Sequence, residues 1–315
     1  MSTHPNDRYA HPDDRYAHPD DRYAHPDDRP TGARRPLHVW SQAGVRIVER
    51  PVERRGDPGV AEERAADRDL VVAEEPLEIR IGGESLVVTM RTPGDDLDLA
   101  VGLLFTEGVI RSMADVAALA HGGDAVGRDR ENVVEVTAAH GRALDPAGAR
   151  RVLRATAACG LCGKESIAAV RKRIPPVADD TRVPLSIVLA LPAAVRAAQP
   201  VFAATGGLHA VGLFRPDGAL VTVREDVGRH NAVDKVIGAR LRDGATSLAG
   251  SVMLLSGRAG FELVQKAAVA RVPVLCSVSA PSALAVDLAD EVGMTLVGFV
   301  RGGSANVYTH PRRIV

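Results

Sequence analysis

The chain has only three cysteines among 315 residues, almost no excess charge of either sign and no long apolar run. Each shortage excludes something. Three cysteines cannot make a disulfide framework, and in a reducing compartment two of them close together read as a redox pair, a metal clamp or a sulfur carrier. A formal net charge of -1 and a pI near 6.8 supply no basic field, so duplex nucleic acid held through its phosphates is not expected as the main ligand. Local basic pockets for a small anion remain open. No apolar stretch reaches the roughly 18 residues of a spanning helix, and the amino terminus is a polar repeat where a signal peptide needs an apolar core. A cytoplasmic protein with neither membrane nor nucleic-acid partners is expected. What is abundant is hydrophobic content, 45%, ample for one large or two modest domains.

Residues 4–29 repeat His-Pro-Asp/Asn-Asp-Arg-Tyr-Ala with a period of seven. Each unit carries a proline and almost no apolar surface, which excludes a coiled coil and predicts a disordered tail over 1–36. His4, His11, His18 and His25 have no neighbouring cysteine or histidine to complete a compact ligand set, so the bland reading is a solvated tail.

From 37 to 158 the pattern is mixed α+β. Alternation at Leu77, Ile79 and Ile81, then Gly82-Gly83, then apolar residues over 86–90 predicts a hairpin over 76–91. Asp95 and Asp96 sit where N-cap and first-turn carboxylates favour a helix, whose apolar face would run through Leu97, Leu99, Ala100, Leu103 and Leu104 to Gly108. A further helical pattern over 146–158 leads into a cysteine-bearing segment, 159–180. The remainder, 181–315, alternates strand and helix: strands over 219–224, 251–255, 272–278 and 294–300, helices over 231–241, 261–270 and 282–292. Such alternation implies an α/β fold with a partly parallel sheet, whose ligands gather at strand ends and helix starts.

Three polar clusters fall at those points: Thr205-Gly206-Gly207-Leu208-His209, Glu225-Asp226-Val227-Gly228-Arg229-His230-Asn231, and Ser256-Gly257-Arg258-Ala259-Gly260. The amides of the last suit an anion, with Arg258 as a charged partner. The bland alternative makes the glycines turns, Asp226 and Arg229 an ordinary ion pair and His230 a satisfied histidine. Three dense polar clusters at successive strand ends favour a binding edge. The third cysteine, Cys276, lies inside an apolar strand and reads as core.

The pentapeptide Cys159-Gly160-Leu161-Cys162-Gly163 places two thiols close enough to share a proton, a metal or an exchangeable sulfur. Its spacing does not choose among them. Glycines beside both cysteines favour an accessible thiolate, and Lys164 helps hold negative charge.

On this pentapeptide, Phe202-Ala203-Ala204-Thr205-Gly206-Gly207-Leu208-His209, the run from Glu225 to Lys235, Ser256-Gly257-Arg258 and Gly298-Phe299-Val300-Arg301, the chain resembles the FdhD family of formate dehydrogenase accessory sulfurtransferases. The resemblance runs from about residue 40 to the end. It implies a cytidine deaminase-like α/β domain over 181–315 beside the smaller mixed α+β N-terminal domain. It also implies a sulfur carrier: a cysteine desulfurase loads a persulfide onto Cys159, Cys162 assists, and the sulfur passes to the molybdenum or tungsten of a bis(molybdopterin guanine dinucleotide) cofactor bound for formate dehydrogenase. The cofactor-binding residues it implies, together with the polar clusters above, are Phe299, Val300, Arg301, Gly302, Gly303, Ser304, Ser256, Gly257, Arg258, His209, Asp226, Arg229 and His230. A homodimer and no resident metal complete the expectation.

Two other classes compete. A zinc-dependent nucleobase deaminase needs His-x-Glu and Pro-Cys-x-x-Cys, whereas Val211 stands where that glutamate would be and the Cys-x-x-Cys lies upstream without a preceding proline. A zinc-binding or redox module would need His209, His230 or a second subunit to complete four ligands.

Overall fold

Backbone hydrogen bonding and apolar alternation build two main β-sheets in the computed structural model, which describes residues 40–41, 44–52, 67–123, 127–140, 144, 174 and 176–315. The repeat tail over 1–36, the helical pattern over 146–158 and both Cys159 and Cys162 lie outside the described residues.

The first half begins with two short antiparallel ladders. Strands β1 (Trp40–Ser41) and β2 (Gly44–Val45) form one, β3 (Ile47–Val52) and β4 (Asp67–Val72) the other. The hairpin expected over 76–91 is present as β5 (Glu75–Ile81) and β6 (Glu84–Arg91). Its turn is Gly82-Gly83, with φ of +57° and +80°, a left-handed conformation that glycine adopts without a Cβ penalty. Helix α1 (Asp96–Thr106) follows, then β7 (Val116–His121) and β8 (Val133–Ala138), giving a four-stranded sheet of order β6-β5-β8-β7. Leu77, Ile79, Ile81, Val134 and Val136 turn inward from that sheet.

The start of α1 departs from the expectation. Asp95 adopts a left-handed φ of 58° and makes no side-chain cap; its carboxylate instead accepts from Arg46 at 2.6 Å. Asp96 is spent on a two-pronged bond from buried Arg91, at 3.0 and 2.9 Å. Pairing with the distant Arg46 has displaced capping by Asp95, while Asp96 keeps the first-turn place expected of it and also binds Arg91. The helix is also buried on nearly every side rather than along one stripe.

In the second half come α2 (Leu185–Ala197), α3 (Pro200–Thr205), β9 (His209–Phe214), β10 (Leu220–Asp226), α4 (Arg229–Arg242), β11 (Val252–Leu255), α5 (Phe261–Val269), β12 (Val274–Ser277), α6 (Ala283–Val292), β13 (Thr295–Arg301) and β14 (Ser304–Val307). The six strands form one sheet of order β10-β9-β11-β12-β13-β14. Strands β11, β12 and β13 are mutually parallel, while β9 runs against both β10 and β11. Strand β10 therefore points the same way as β11, β12 and β13, and their four carboxyl ends share one edge.

Alternating side chains feed two cores. Val211, Leu213, Met253, Leu255 and Leu275 face a layer built from α1, α4, α5 and α6, while Ala210, Phe214, Leu254, Val274 and Cys276 pack with Val188, Leu191 and Val195 of α2. Gly212 lets α2 close on β9, because a Cβ there would lie 2.5 Å from Val195. Deep in the first core α1 crosses α4 backbone to backbone. A Cβ on Gly102 would stand 1.9 Å from the Asp234 carbonyl oxygen, and one on Gly238 the same distance from that of Asp98.

The last residues close the fold. Ile314 bridges Val183 in parallel, and buried Arg313 donates to the carbonyls of Val177 (3.2 Å), Asp179 (3.0 Å) and Gly293 (2.8 Å).

Candidate functional site

The carboxyl edge of the large sheet is assembled from four loops, each placed by the strand before it. Strand β10 ends in Glu225-Asp226, buried inside the fold. Glu225 accepts from the amides of Val201 (3.2 Å) and Phe202 (2.8 Å), two first-turn donors that a helix leaves unpaired. Burial pushes its carboxyl above the ordinary range even with those amides beside it. The bonds hold α3, whose end at Gly206 (φ 69°) delivers the chain through Gly207 and Leu208 to His209, the first residue of β9 and the register partner of Asp226.

Asp226 and Lys235 are both fully buried and pair at 2.7 Å. Asp226 also accepts from the amides of Thr92 (3.1 Å) and Gly228 (2.8 Å) and from Asn231 Nδ2 (3.1 Å). Lys235 donates to the Thr92 carbonyl at 2.9 Å, and Asn231 to that of Met90 at 2.8 Å. A buried carboxylate so surrounded has no lone pair left for a ligand. Asp226 is thus the frame of the edge rather than its lining, and its ionic partner is Lys235, not Arg229. The pair also ties the end of β6 to the start of α4.

Around that frame stand cations. Arg229 and Arg258 are exposed and, among the described residues, form no ion pair, while His209 and His230 are half-buried between them. Burial pushes the His209 imidazole below its ordinary value, and the positive charges of Arg229 and Arg258 add to this against the pull of Asp226. Both effects favour the neutral imidazole. His230 Nε2 lies 2.5 Å from Glu262 Oε2, and this hydrogen bond holds the Glu262 carboxyl below the usual carboxylate range against the effect of burial.

The loop after β11 corrects one expectation. The amides of Ser256 and Ala259 are donated to the carbonyls of Ala210 (3.0 Å) and Ala280 (3.2 Å), and Ser256 Oγ accepts from the Ala210 amide at 2.9 Å. Two amides expected to meet an anion are thus used in joining strands. Gly257 packs against His209, whose Nδ1 would be 3.4 Å from a Cβ there. The edge continues through a chain of backbone bonds, from Ser279 N to Gly257 O (3.3 Å) and from Phe299 N to Ser279 O (3.2 Å). Phe299 takes a left-handed φ of 53°, uncommon for an aromatic residue and a mark of a constrained site. Arg301 reaches back over its ring at 5.3 Å, Val300 is core, and Arg301, Gly302, Gly303 and Ser304 form the exposed turn into β14.

His209, Arg229, His230, Ser256, Gly257 and Arg258 are therefore neighbours around β9, β10 and β11, and Phe299 to Ser304 stand farther along the same edge. Glu262 was not anticipated; only its place in the first turn of α5, four residues after Arg258, marks it. Among the described residues no three His, Cys, Asp or Glu side chains converge as a metal site.

Residues 72–315 match the model of the FdhD/NarQ family. The chain belongs to that family. It is 51% identical over 251 residues, 78% of this chain and 89% of the relative, to the sulfur carrier protein FdhD of Streptomyces avermitilis. The protein of that name from Anaeromyxobacter dehalogenans is 49% identical over 277 residues, 85% of this chain and 93% of the relative. Among solved structures, a protein from Desulfotalea psychrophila described as a formate dehydrogenase accessory protein superposes with a TM-score of 0.64 at 25% identity, covering 85% of this chain and 98% of that one. The family match starts at Val72, in β4, so it includes both main sheets and every residue of the cationic edge. No described helix is long and apolar enough to cross a membrane.

Proposed function

We propose that this chain is a cytoplasmic sulfur carrier serving formate dehydrogenase. The observation that carries the reading is the carboxyl edge, where Arg229 and Arg258 are exposed and form no salt bridge among the described residues, beside a His209 whose imidazole is pushed below its ordinary value by burial and by those two charges. Such an edge suits the pyrophosphate groups of a nucleotide-bearing cofactor. The names of the relatives supply the sulfur, and the Cys-x-x-Cys supplies the chemistry. The Cys159 thiolate attacks the terminal sulfur of a cysteine desulfurase persulfide; a new S–S bond forms on Cys159 while the desulfurase bond breaks and its thiolate leaves. Delivery as sulfide to the molybdenum or tungsten of bis(molybdopterin guanine dinucleotide), here a substrate, consumes two electrons. Cys162 supplies them by closing a disulfide with Cys159. The unit acting on this cofactor is a homodimer, and no resident metal takes part.

Mass spectrometry after incubation with desulfurase and cysteine tests the carrier step. We expect an added mass of about 32 Da, one sulfur, on Cys159, lost together with sulfur transfer in Cys159→Ser; transfer surviving in that variant refutes the assignment. For the edge, Arg229→Ala with Arg258→Ala is expected to weaken GDP binding at least tenfold, and unchanged affinity removes the pocket.

A further inference from the structure

Glu262 is out of place in a site built for anions. It is a carboxylate in the first turn of α5, beside an edge that carries Arg229, Arg258 and, farther along, Arg301. Simple electrostatics makes it a liability there, since like charges repel a ligand phosphate. Its surroundings give it a different task. Helices α4 and α5 both start at the carboxyl edge, and two charged rungs join them one helical turn apart. The outer rung is His230 with Glu262 at 2.5 Å, half-exposed. The inner rung is Asp234 with Lys266 at 2.8 Å, buried. Lys266 also donates to Thr106 Oγ1 at 2.8 Å and reaches Glu107 at 3.3 Å, at the end of α1. The signs alternate: base then acid along α4, acid then base along α5. The inner rung is locked on every side, so the outer rung is the part of this ladder that meets the site.

We propose that Glu262 is a positioning residue that acts through His230, holding its ring so that His230 and the adjacent Arg229 address one anionic ligand. By accepting from Nε2, the carboxylate makes that nitrogen the proton-bearing one and fixes the plane of the ring. The inference rests on the anion-binding reading of the edge.

The test is a double-mutant cycle with GDP affinity measured by calorimetry. Glu262→Gln should weaken GDP binding, by roughly three- to tenfold for the loss of one charge-assisted contact. Mere repulsion predicts the opposite sign. In a His230→Gln background the same Glu262→Gln change should leave affinity unchanged or raise it, because the residue it acts through is gone. Tighter binding by the single variant, or an equal loss in both backgrounds, overturns the inference. Thermal unfolding of each variant separates a loss of fold from a loss of positioning. Failure of the unaltered protein to bind GDP or inorganic pyrophosphate is a different result, refuting the anion-binding edge itself and this inference with it.

Discussion

Replacing Gly102 by alanine sets two general expectations against each other. Glycine inside a helix costs about 1 kcal/mol relative to alanine, so from the sequence alone Gly102→Ala should stabilise α1. The crossing with α4 says otherwise. The new methyl would stand 1.9 Å from the Asp234 carbonyl oxygen, about 1.5 Å inside ordinary contact. No side chain can rotate away, because the obstacle is backbone. The helices must part, and Gly238, whose own Cβ position is 1.9 Å from the Asp98 carbonyl, shows that the approach is equally close one step along. Parting them loosens the apolar layer around Leu99, Leu103, Val233, Val236 and Ile237 and disturbs Asp234, whose carboxylate is bound to Lys266 and Thr106. Overpacking of this kind costs about 1–3 kcal/mol or more, which outweighs the gain in propensity. A net loss of about 2 kcal/mol should lower Tm by roughly 3 °C for a chain of this size. Urea unfolding followed by circular dichroism, with the slope compared between variants, gives the free energy directly. A midpoint equal to or above that of the unaltered protein would refute the close crossing.

Lys235→Met should destabilise the fold by about 3–5 kcal/mol, since it leaves Asp226 charged and buried without its cation; urea titration measures this, and a loss under 1 kcal/mol contradicts the placement of the pair. Burial alone would push Asp95 up, but Arg46, Arg224 and Lys235 together hold its carboxyl below the ordinary carboxylate range. A carboxyl depressed in the folded state stabilises above its unfolded pKa and loses that contribution as pH falls through the folded value. The stability gap between the unaltered protein and Asp95→Asn, a residue that tolerates the left-handed backbone, should therefore be constant above about pH 5 and shrink below about pH 4. A gap independent of pH would exclude the charge pairing.

Much of the architecture is legible wherever one periodicity dominates. The β5–β6 hairpin, α1, α4, α5 and α6, and strands β10 to β13 lie within a few residues of where apolar spacing and glycine turns put them. Helix α2 is harder to read because its sequence, LSIVLALPAAVRA, is apolar almost throughout and carries Pro192; its buried residues, Val188, Leu191 and Val195, do keep helical spacing. Strand β9 is disguised by Gly212, which exists for the close approach of α2. At the edge, residue type showed which positions were polar but not which way they faced. Asp226 and Arg258 look alike as charged residues after strands, yet one is enclosed by four donors and the other is exposed. That difference depends on Thr92, more than a hundred residues away, and on Lys235 nearly two turns into the following helix. The role of Asp95 was hidden in the same way, by Arg46.

Arg313 gives the carboxyl terminus a mechanical task. Its guanidinium grips the carbonyls of Val177 and Asp179, the point at which the chain rejoins the described fold after the cysteine segment, and through Gly293 it grips the start of β13 as well. The turn at Pro311–Arg313 thus works as a rivet between the stretch that leads into α2 and the start of β13. Replacing Arg313 by alanine would release the Val177–Asp179 stretch and the approach to β13 together, so a single side chain couples two segments that lie more than a hundred residues apart in sequence.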